Sequence, residues 1–329
     1  PALADGTYDV SVTATDGLGN AGSDASIDEL VVDTTAPVVT VNGLSTTDTT
    51  PQLTGTVNDP TATVEVTVNG TTYTATNNAD GTWTLADNAI APALADGTYD
   101  VSVTATDGLG NAGSDASIDE LVVDTTAPVV TVNGLSTADN TPALTGTDSD
   151  PTATVDVTVN GNTYTATNNG DGTWTLADNS IAPALADGTY DVSVTATDGL
   201  GNAGSDASID ELVVDTTAPV VTVNGLSTTD NTPQLTGTVN DPTATVEVTV
   251  NGTTYTATNN GDGTWTLADN SIAPALADGT YDVLVTATDG LGNTGSDASI
   301  DELVVDTTAP VVTVNGLSTA DNTPQLTGT

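Results

Sequence analysis

The chain has 329 residues, of which 45 are acidic and none is Lys, Arg or His, so its formal net charge is −45 at pH 7. Binding to nucleic acid or to anionic membranes requires cationic side chains, and this composition excludes both. The chain also has no Cys, so disulfides, thiol chemistry and the Ser-His-Asp and Cys-His catalytic arrangements are excluded. The acidic residues keep the chain soluble through mutual repulsion, bind metal cations that supply the missing positive charge, or do both.

An internal repeat of 91 residues organises the whole sequence. The segment PALADGTYDV occurs four times, starting at Pro1, Pro92, Pro183 and Pro274. A unit of this size is normal for one small domain. The repeat predicts three full domains and two partial ones: the C-terminal part of a repeat at 1–32, full repeats at 33–123, 124–214 and 215–305, and the N-terminal part of a repeat at 306–329.

Within repeat 124–214, apolar and polar residues alternate with a period of two. Val155, Val157 and Val159 alternate with Asp156 and Thr158, which is typical of a strand with one buried face. Turn signals separate such runs, and helix-forming stretches are absent. In chain order, we predict seven strands at about 129–133, 143–147, 154–160, 162–167, 172–177, 189–197 and 208–214. Short strands at this spacing predict an all-β sandwich.

Two aromatic residues and one turn refine this prediction. Trp174 lies in mid-strand with Leu176 on the same face, which favours core packing over ligand stacking. The segment Asp187-Gly-Thr-Tyr190 resembles the tyrosine corner of immunoglobulin-type sandwiches, although the Cys pair of those domains is missing. Asn69-Gly-Thr fits a glycosylation sequon, but we interpret it as a hairpin turn.

Acidic and amide residues are predicted to meet at the junction between repeats. If the strands run up and down, the linker Asp124, the Asp150-Pro151 turn and the Asp198–Asn202 loop all reach the same end of the domain. Carboxylate, amide and carbonyl oxygens are the ligands that Ca²⁺ takes, whereas Zn²⁺ prefers His or Cys. The predicted calcium ligands are Asp33, Asp59, Asp107, Asn111, Asp124, Asp150, Asp198, Asn202, Asp215, Asp241, Asp289 and Asn293.

Turn chemistry is the alternative explanation for each of these residues taken singly. Asp and Asn are favoured turn residues in their own right. Asp148, which lies beside the predicted cluster, aligns with Val57 and Val239, so it is not a ligand common to all repeats. The cluster as a whole, in a chain without cations, favours calcium.

Several motifs together resemble a known family. They are DTTAPVVTVNGL, LTGT, the Asp150-Pro151 pair, VTVNG, DGTWTL and LADGTYDVSVTATDGLGN. In this combination they resemble the bacterial Ig-like repeats of giant RTX-type adhesins, which include biofilm and ice-binding adhesins, and the resemblance covers the whole chain. It implies tandem Ig-like sandwiches stacked end to end in a rod, exported by type I secretion and rigidified by calcium between domains. The Gly-rich RTX nonapeptide repeats are absent from this sequence.

The expected function is therefore structural. We expect an extracellular stalk on a bacterial cell surface that projects a distal binding domain for adhesion or biofilm formation. Its partners would be neighbouring repeats, and the adhesion target would be bound by domains outside this segment. Two alternatives are a multivalent glycan- or partner-binding module and a surface-layer protein of a halophile. Against the first, repeats 33–123 and 124–214 differ at only nine scattered positions, and no surface aromatic cluster is evident.

Enzymatic activity and membrane insertion are not expected. Paired carboxylates are available for glycoside hydrolysis. Each of them, however, recurs every 91 residues on convex loops of a small domain. No apolar run approaches the ~20 residues that a transmembrane helix needs.

Overall fold

A computed structural model describes residues 2–329, and the regular structure in that part of the chain is β-strand without helix. No helix in the described part is therefore available to span a membrane. Residues 2–32 contain β1 (Gly6–Tyr8), β2 (Ser11–Thr15), β3 (Ala21–Ala25) and β4 (Leu30–Val32). Residues 306–329 contain an isolated bridge between Val314 and Gly328.

Each full repeat contains the same ten strands. Repeat 33–123 has β5 (Val39–Val41), β6 (Leu44–Thr46), β7 (Leu53–Val57), β8 (Thr63–Val68), β9 (Thr71–Asn77), β10 (Thr82–Leu85), β11 (Gly97–Tyr99), β12 (Val101–Thr106), β13 (Ala112–Asp115) and β14 (Leu121–Val123). Repeat 124–214 has β15 (Val130–Val132), β16 (Leu135–Thr137), β17 (Leu144–Asp148), β18 (Thr154–Val159), β19 (Asn162–Asn168), β20 (Thr173–Leu176), β21 (Gly188–Tyr190), β22 (Val192–Thr197), β23 (Ala203–Asp206) and β24 (Leu212–Val214). Repeat 215–305 has β25 (Val221–Val223), β26 (Leu226–Thr228), β27 (Leu235–Val239), β28 (Thr245–Val250), β29 (Thr253–Asn259), β30 (Thr264–Leu267), β31 (Gly279–Tyr281), β32 (Val283–Thr288), β33 (Thr294–Asp297) and β34 (Leu303–Val305).

The strands of a repeat form one large and one small sheet. In repeat 124–214 the large sheet has the order β15-β17-β20-β19-β18-β22-β23, and the small sheet has the order β16-β24-β21. The two edges of the large sheet contact each other, and the Val132 N–H on β15 donates to Asp206 Oδ2 on β23 at 3.1 Å. The large sheet therefore curls round until it forms both faces of a sandwich. This architecture confirms the predicted tandem Ig-like fold.

Each repeat has its own apolar core. The inward residues Val155, Val157 and Val159 are buried, and Trp174 has an exposed fraction of 0%. The Trp174 indole N–H donates to Thr131 O at 2.9 Å, and its ring lies over Gly146, where an added Cβ would come within 2.5 Å of the indole nitrogen. Burying the apolar side chains stabilises each repeat by about 1.5–3 kcal/mol per residue. The prediction of a buried tryptophan in every repeat is confirmed by Trp83, Trp174 and Trp265.

The seven predicted strands fall short of the ten observed, because β16 and β23 were not predicted and one predicted strand is divided in two. The first predicted strand, at 129–133, corresponds to β15 alone, and the sixth is divided into β21 and β22 at Asp191. The seventh, predicted at 208–214, is wrong at its start, because β24 begins at Leu212 and residues 207–211 are not strand. Apolar alternation continues through Tyr190 and Val192, so the pattern does not reveal that the chain passes from the small sheet to the large one.

Two predicted local motifs are confirmed. The Tyr190 hydroxyl donates to Ala186 O at 2.8 Å, which is the backbone tie of a tyrosine corner. Asn69 and Gly70 both have positive φ, 48° and 75°, as a type I′ hairpin turn between β8 and β9 requires. The equivalent Asn160 and Gly161, between β18 and β19, have φ of 48° and 77°.

Candidate functional site at the repeat junctions

The linker between repeats is bonded to the repeat that precedes it. At the junction of repeats 33–123 and 124–214, the Asp124 N–H donates to Thr46 O at 3.0 Å. Thr125 donates to Asp96 Oδ1 through its backbone N–H at 2.9 Å and its hydroxyl at 2.7 Å, and the Thr126 hydroxyl donates to Asp96 Oδ2. These hydroxyl donors, Thr126 first and then Thr125, hold the pKa of Asp96 below its ordinary value.

The same linker is bonded to the repeat that follows it. Asn202 Nδ2 donates both to Asp124 O at 2.9 Å and to Asp198 Oδ2 at 2.7 Å. Asp198 Oδ1 also accepts the N–H groups of Leu200 and Asn202, at 2.8 and 2.9 Å. The Asn202 side chain is the main reason that the pKa of Asp198 is lowered. Asp198 therefore closes its own loop, as turn chemistry predicts, and that loop positions Asn202 against the linker.

The end of the linker packs closely against the backbone of β23 in the following repeat. Pro128 is buried, and a Cβ added to Gly204 of β23 would lie 1.8 Å from Pro128 O. Only glycine allows β23 to approach the linker this closely. Val129 continues the attachment, since its N–H donates to Ser149 Oγ at 2.8 Å.

Asp150 lies in the turn before β18. Its Oδ1 accepts the N–H and the hydroxyl of Thr152, both at 2.8 Å. Its backbone oxygen accepts Asn168 Nδ2 at 2.7 Å. The second carboxylate oxygen of Asp150 accepts no hydrogen bond from residues 2–329, and the same is true of Asp124 Oδ2.

The predicted carboxylates line one cleft at each of two junctions. Asp124, Asp150 and Asp198 line a cleft of about 250 Å³. The equivalent cleft, of about 180 Å³, is lined by Asp33, Asp59 and Asp107. In neither cleft, nor elsewhere in residues 2–329, are three acidic side chains arranged so that they could hold a metal ion as they stand. The structure thus brings the predicted residues to one surface without forming a coordination sphere, and calcium binding stays a prediction.

The amides of the predicted set act as donors in this arrangement. Asn111 Nδ2 donates to Asp33 O and Asp107 Oδ2, at 2.9 and 2.8 Å. In the third repeat Asn293 makes the same bonds to Asp215 O and Asp289 Oδ2, both at 2.8 Å. Only the Oδ1 atom of each asparagine is left as a ligand. Asp241 caps its own turn, as Asp150 does, by accepting from Thr243.

The donor chemistry of the clefts fits Ca²⁺. Each cleft presents carboxylate oxygens, such as Asp124 Oδ2 and Asp150 Oδ2, that lack a protein donor. No Lys, Arg or His exists in the sequence to neutralise them. Hard oxygen donors without nitrogen or sulfur suit Ca²⁺ and do not suit Zn²⁺.

Sequence reasoning missed one group of junction residues. It treated Asp187, the counterpart of Asp96, only as the start of the tyrosine-corner segment, and it did not connect Asp187 with the linker. Yet an Asp occurs 29 and 30 residues before the two linker threonines at every junction, and this constant spacing is the signal that could have found the contact.

Comparison with known proteins defines the family. Residues 41–125, 132–216 and 223–307 match the bacterial Ig-like domain family, and the chain belongs to this family. Comparison with curated proteins gives no match.

Several solved structures are similar to the chain. A tetra-tandem repeat in the extending region of a large adhesion protein is 33% identical, with 93% of this chain and 83% of that chain covered and a TM-score of 0.32. A 1.5-MDa bacterial ice-binding adhesin is 23% identical, with 83% and 100% covered and a TM-score of 0.39. The fibronectin(III)-like modules of Clostridium thermocellum CbhA are 18% identical, with 54% and 94% covered and a TM-score of 0.32.

Proposed function

We propose that the chain is part of the extender stalk of a large bacterial surface adhesin. In this role it lies outside the cell and holds a distal binding domain away from the cell surface, for adhesion or biofilm formation. The observation that carries the proposal is the repeated junction, in which the linkers that begin at Asp33, Asp124 and Asp215 are hydrogen-bonded both to the chain before them and to the repeat after them. A spacer must transmit position from one end to the other, and relative domain motion is the default unless the junction prevents it.

Sequence similarity to known proteins also supports the role of an extender. The chain consists of repeats of a bacterial Ig-like domain. A relative of 33% identity comes from the extending region of a large adhesion protein. The matched family is one of structural modules, and it gives no indication of an enzyme.

Calcium at the junctions is the second part of the proposal. Asp124, Asp150 and Asp198 would hold the ion through side-chain oxygens, with Asn202 Oδ1 as a further donor. Bound Ca²⁺ would supply positive charge between carboxylates that otherwise repel each other. These residues belong to the linker and to two loops of the following repeat, so a shared ion would tie the linker to that repeat.

Calorimetric melting of the full 329-residue chain, in calcium and then in excess chelator, tests the calcium proposal. The informative variant combines Asp59→Asn, Asp150→Asn and Asp241→Asn. Asparagine keeps the Oδ1 acceptor that caps each turn, so the turn persists while one charge per cleft is lost. The matched control combines Glu65→Gln, Asp156→Asn and Glu247→Gln, which removes the same charge from the strands β8, β18 and β28.

Calcium should raise the melting temperatures of the wild type and of the control. It should raise the melting temperature of the cleft variant much less. Equal melting in calcium and in chelator would contradict calcium binding. Small-angle scattering of the same samples tests the extender role, since a spacer gives an elongated particle. Calcium-dependent binding of the chain to glycans on an array would instead favour a binding module.

A further inference from the structure

The feature that carries a further inference is the contact between Asp96 and the linker threonines, which we call the aspartate clasp. It consists of one carboxylate of the preceding repeat and two successive threonines of the linker. The clasp occurs at four junctions, as Asp5 with Thr34 and Thr35, Asp96 with Thr125 and Thr126, Asp187 with Thr216 and Thr217, and Asp278 with Thr307 and Thr308.

The clasp uses both oxygens of its carboxylate. Asp96 Oδ1 accepts the N–H and hydroxyl of Thr125, and Oδ2 accepts the hydroxyl of Thr126. Hydrogen bonds to an ionised acceptor are stronger than those between neutral groups. One side chain therefore fixes two consecutive linker residues.

Hydrogen bonds on both sides of Asp96 fix its position close to the point where the chain leaves the repeat. Asp96 lies between Ala95, whose oxygen accepts the Tyr99 hydroxyl at 2.8 Å, and Gly97, which pairs with Val123 at the end of β14. Asp124 follows Val123 directly. The clasp therefore holds the linker where it leaves the sheet, and the tyrosine corner holds the loop that carries the clasp.

Almost no free chain remains between the two repeats. The clasp and the Asp124 N–H bond fix residues 124–126 to the preceding repeat. Pro128 is seated against Gly204 of the following repeat. Only Ala127 lies between these two attachments, and it is itself half-buried.

We propose that the aspartate clasp is a metal-independent lock that fixes the direction of each linker. Asp96 belongs to the preceding repeat and does not line the cleft of Asp124, Asp150 and Asp198. Each junction thus has two restraints with different carboxylates, one made by protein hydrogen bonds alone. The clasp forms whether or not calcium binds. A result that contradicts calcium binding would therefore leave the clasp proposal unaffected, and the reverse also holds.

The test measures the spread of distances between adjacent repeats in chelator. The chain has no Cys, so spin labels can be placed at Gln52→Cys and Ala143→Cys, exposed and equivalent positions of repeats 33–123 and 124–214. Double electron–electron resonance on the full chain then compares Asp96→Ala with Asp80→Ala. Asp80 is the matched control, because it accepts the N–H and hydroxyl of Thr82 within its own turn.

In chelator we expect Asp96→Ala to broaden the distance distribution about twofold, since unrestrained neighbouring domains move relative to each other. Asp80→Ala should leave the width unchanged. Hydrogen exchange of the strand amides verifies that both repeats stay folded. If Asp96→Ala unfolds its repeat, Thr125→Val with Thr126→Val removes both hydroxyl bonds of the clasp from the linker side, outside both cores, and leaves only the Thr125 N–H bond. The proposal would be overturned if the distance distribution of a folded clasp variant were no broader than that of the wild type. It would also be overturned if the wild-type distribution in chelator were already as broad as that of unrestrained domains.

Discussion

The second repeat differs from the first and third at one buried position. Asp148 of β17 has an exposed fraction of 2%, whereas the equivalent Val57 and Val239 have 1%. The strand register is the same, because Val130 pairs with Asp148 as Val39 pairs with Val57. A carboxylate thus occupies a core position without displacing the sheet.

Two donors of the second repeat surround this carboxylate. Asp148 Oδ1 accepts the Asp150 N–H at 3.1 Å, and Oδ2 accepts Asn168 Nδ2 at 2.9 Å. Asn168 Nδ2 also donates to Asp150 O and Ala153 O, and in the first repeat Asn77 Nδ2 donates only to the two equivalent backbone oxygens. The comparison of Asp148 with Val57 shows that a chain without cations can bury a carboxylate where an amide donor is already in place. Buried charge without such partners is strongly destabilising.

The largest expected effect comes from removing that amide. Asn168→Ala should lower the free energy of unfolding of the second repeat by about 3–5 kcal/mol, because the buried Asp148 charge loses its side-chain donor. Asn77→Ala, the matched change beside Val57, should cost only about 1–3 kcal/mol, because it removes bonds to neutral backbone groups and leaves no buried charge without its donor. Hydrogen exchange with mass spectrometry at rising urea reads each repeat separately, since peptides from β18 and β8 differ in sequence. Equal losses in the two repeats would show that Asp148 does not depend on Asn168.

A smaller effect of opposite sign is expected from Asp148→Val. This change gives the second repeat the residue of its neighbours and removes a buried charge, so it should raise the free energy of unfolding by about 1–2 kcal/mol. The reciprocal Val57→Asp serves as the control and should destabilise the first repeat. The same exchange measurement applies, and a destabilised Asp148→Val variant would contradict the explanation given for this position.

Acid is expected to act alike on the junctions before and after the second repeat, because the same clasp forms at both. The pKa of Asp96 and of Asp187 is lowered by linker threonine hydroxyls in the same way. A lowered pKa in the folded state means that the clasp is fully formed above the ordinary carboxyl value of about 3.9 and is lost as the pH falls through the lowered pKa. Small-angle scattering in chelator from pH 6 down to about pH 2 should show both junctions loosening together below about pH 4. Loosening that begins near neutral pH would contradict this assignment.

The fold could be predicted from sequence because one physical pattern controls it. Alternation in β18 and β22 and the Asn160-Gly161 turn each report a local property, and the 91-residue repeat multiplies that evidence. The break at Asp191 and the separate strands β16 and β23 could not be predicted, because they depend on which of two sheets the residues pair with. That choice is made by partners distant in sequence, such as β16 for β24.

The candidate site was predictable in part for the same reason. Up-and-down strand order was enough to bring Asp124, Asp150 and Asp198 to one cleft. The clasp residue Asp96 was missed because it lies at the exit end of the preceding repeat. Its role depends on the antiparallel pairing of β11 with β14, which places Asp96 beside the start of the linker, and composition gives no sign of that pairing. Distances between the carboxylates depend on side-chain conformations that no sequence pattern specifies.

The parallel pairing of β16 with β24 has a mechanical consequence. These strands stand near the entry and at the exit of the repeat, and Leu135, Ser136 and Thr137 pair with Leu212, Val213 and Val214. Tension applied through the two linkers pulls β16 from its beginning and β24 from its end, so the strands are loaded in shear. In this geometry the bonds of the pair share the load and must rupture together, whereas bonds pulled apart from one end open one after another. Each repeat is therefore built to resist stretching along the direction in which the chain runs.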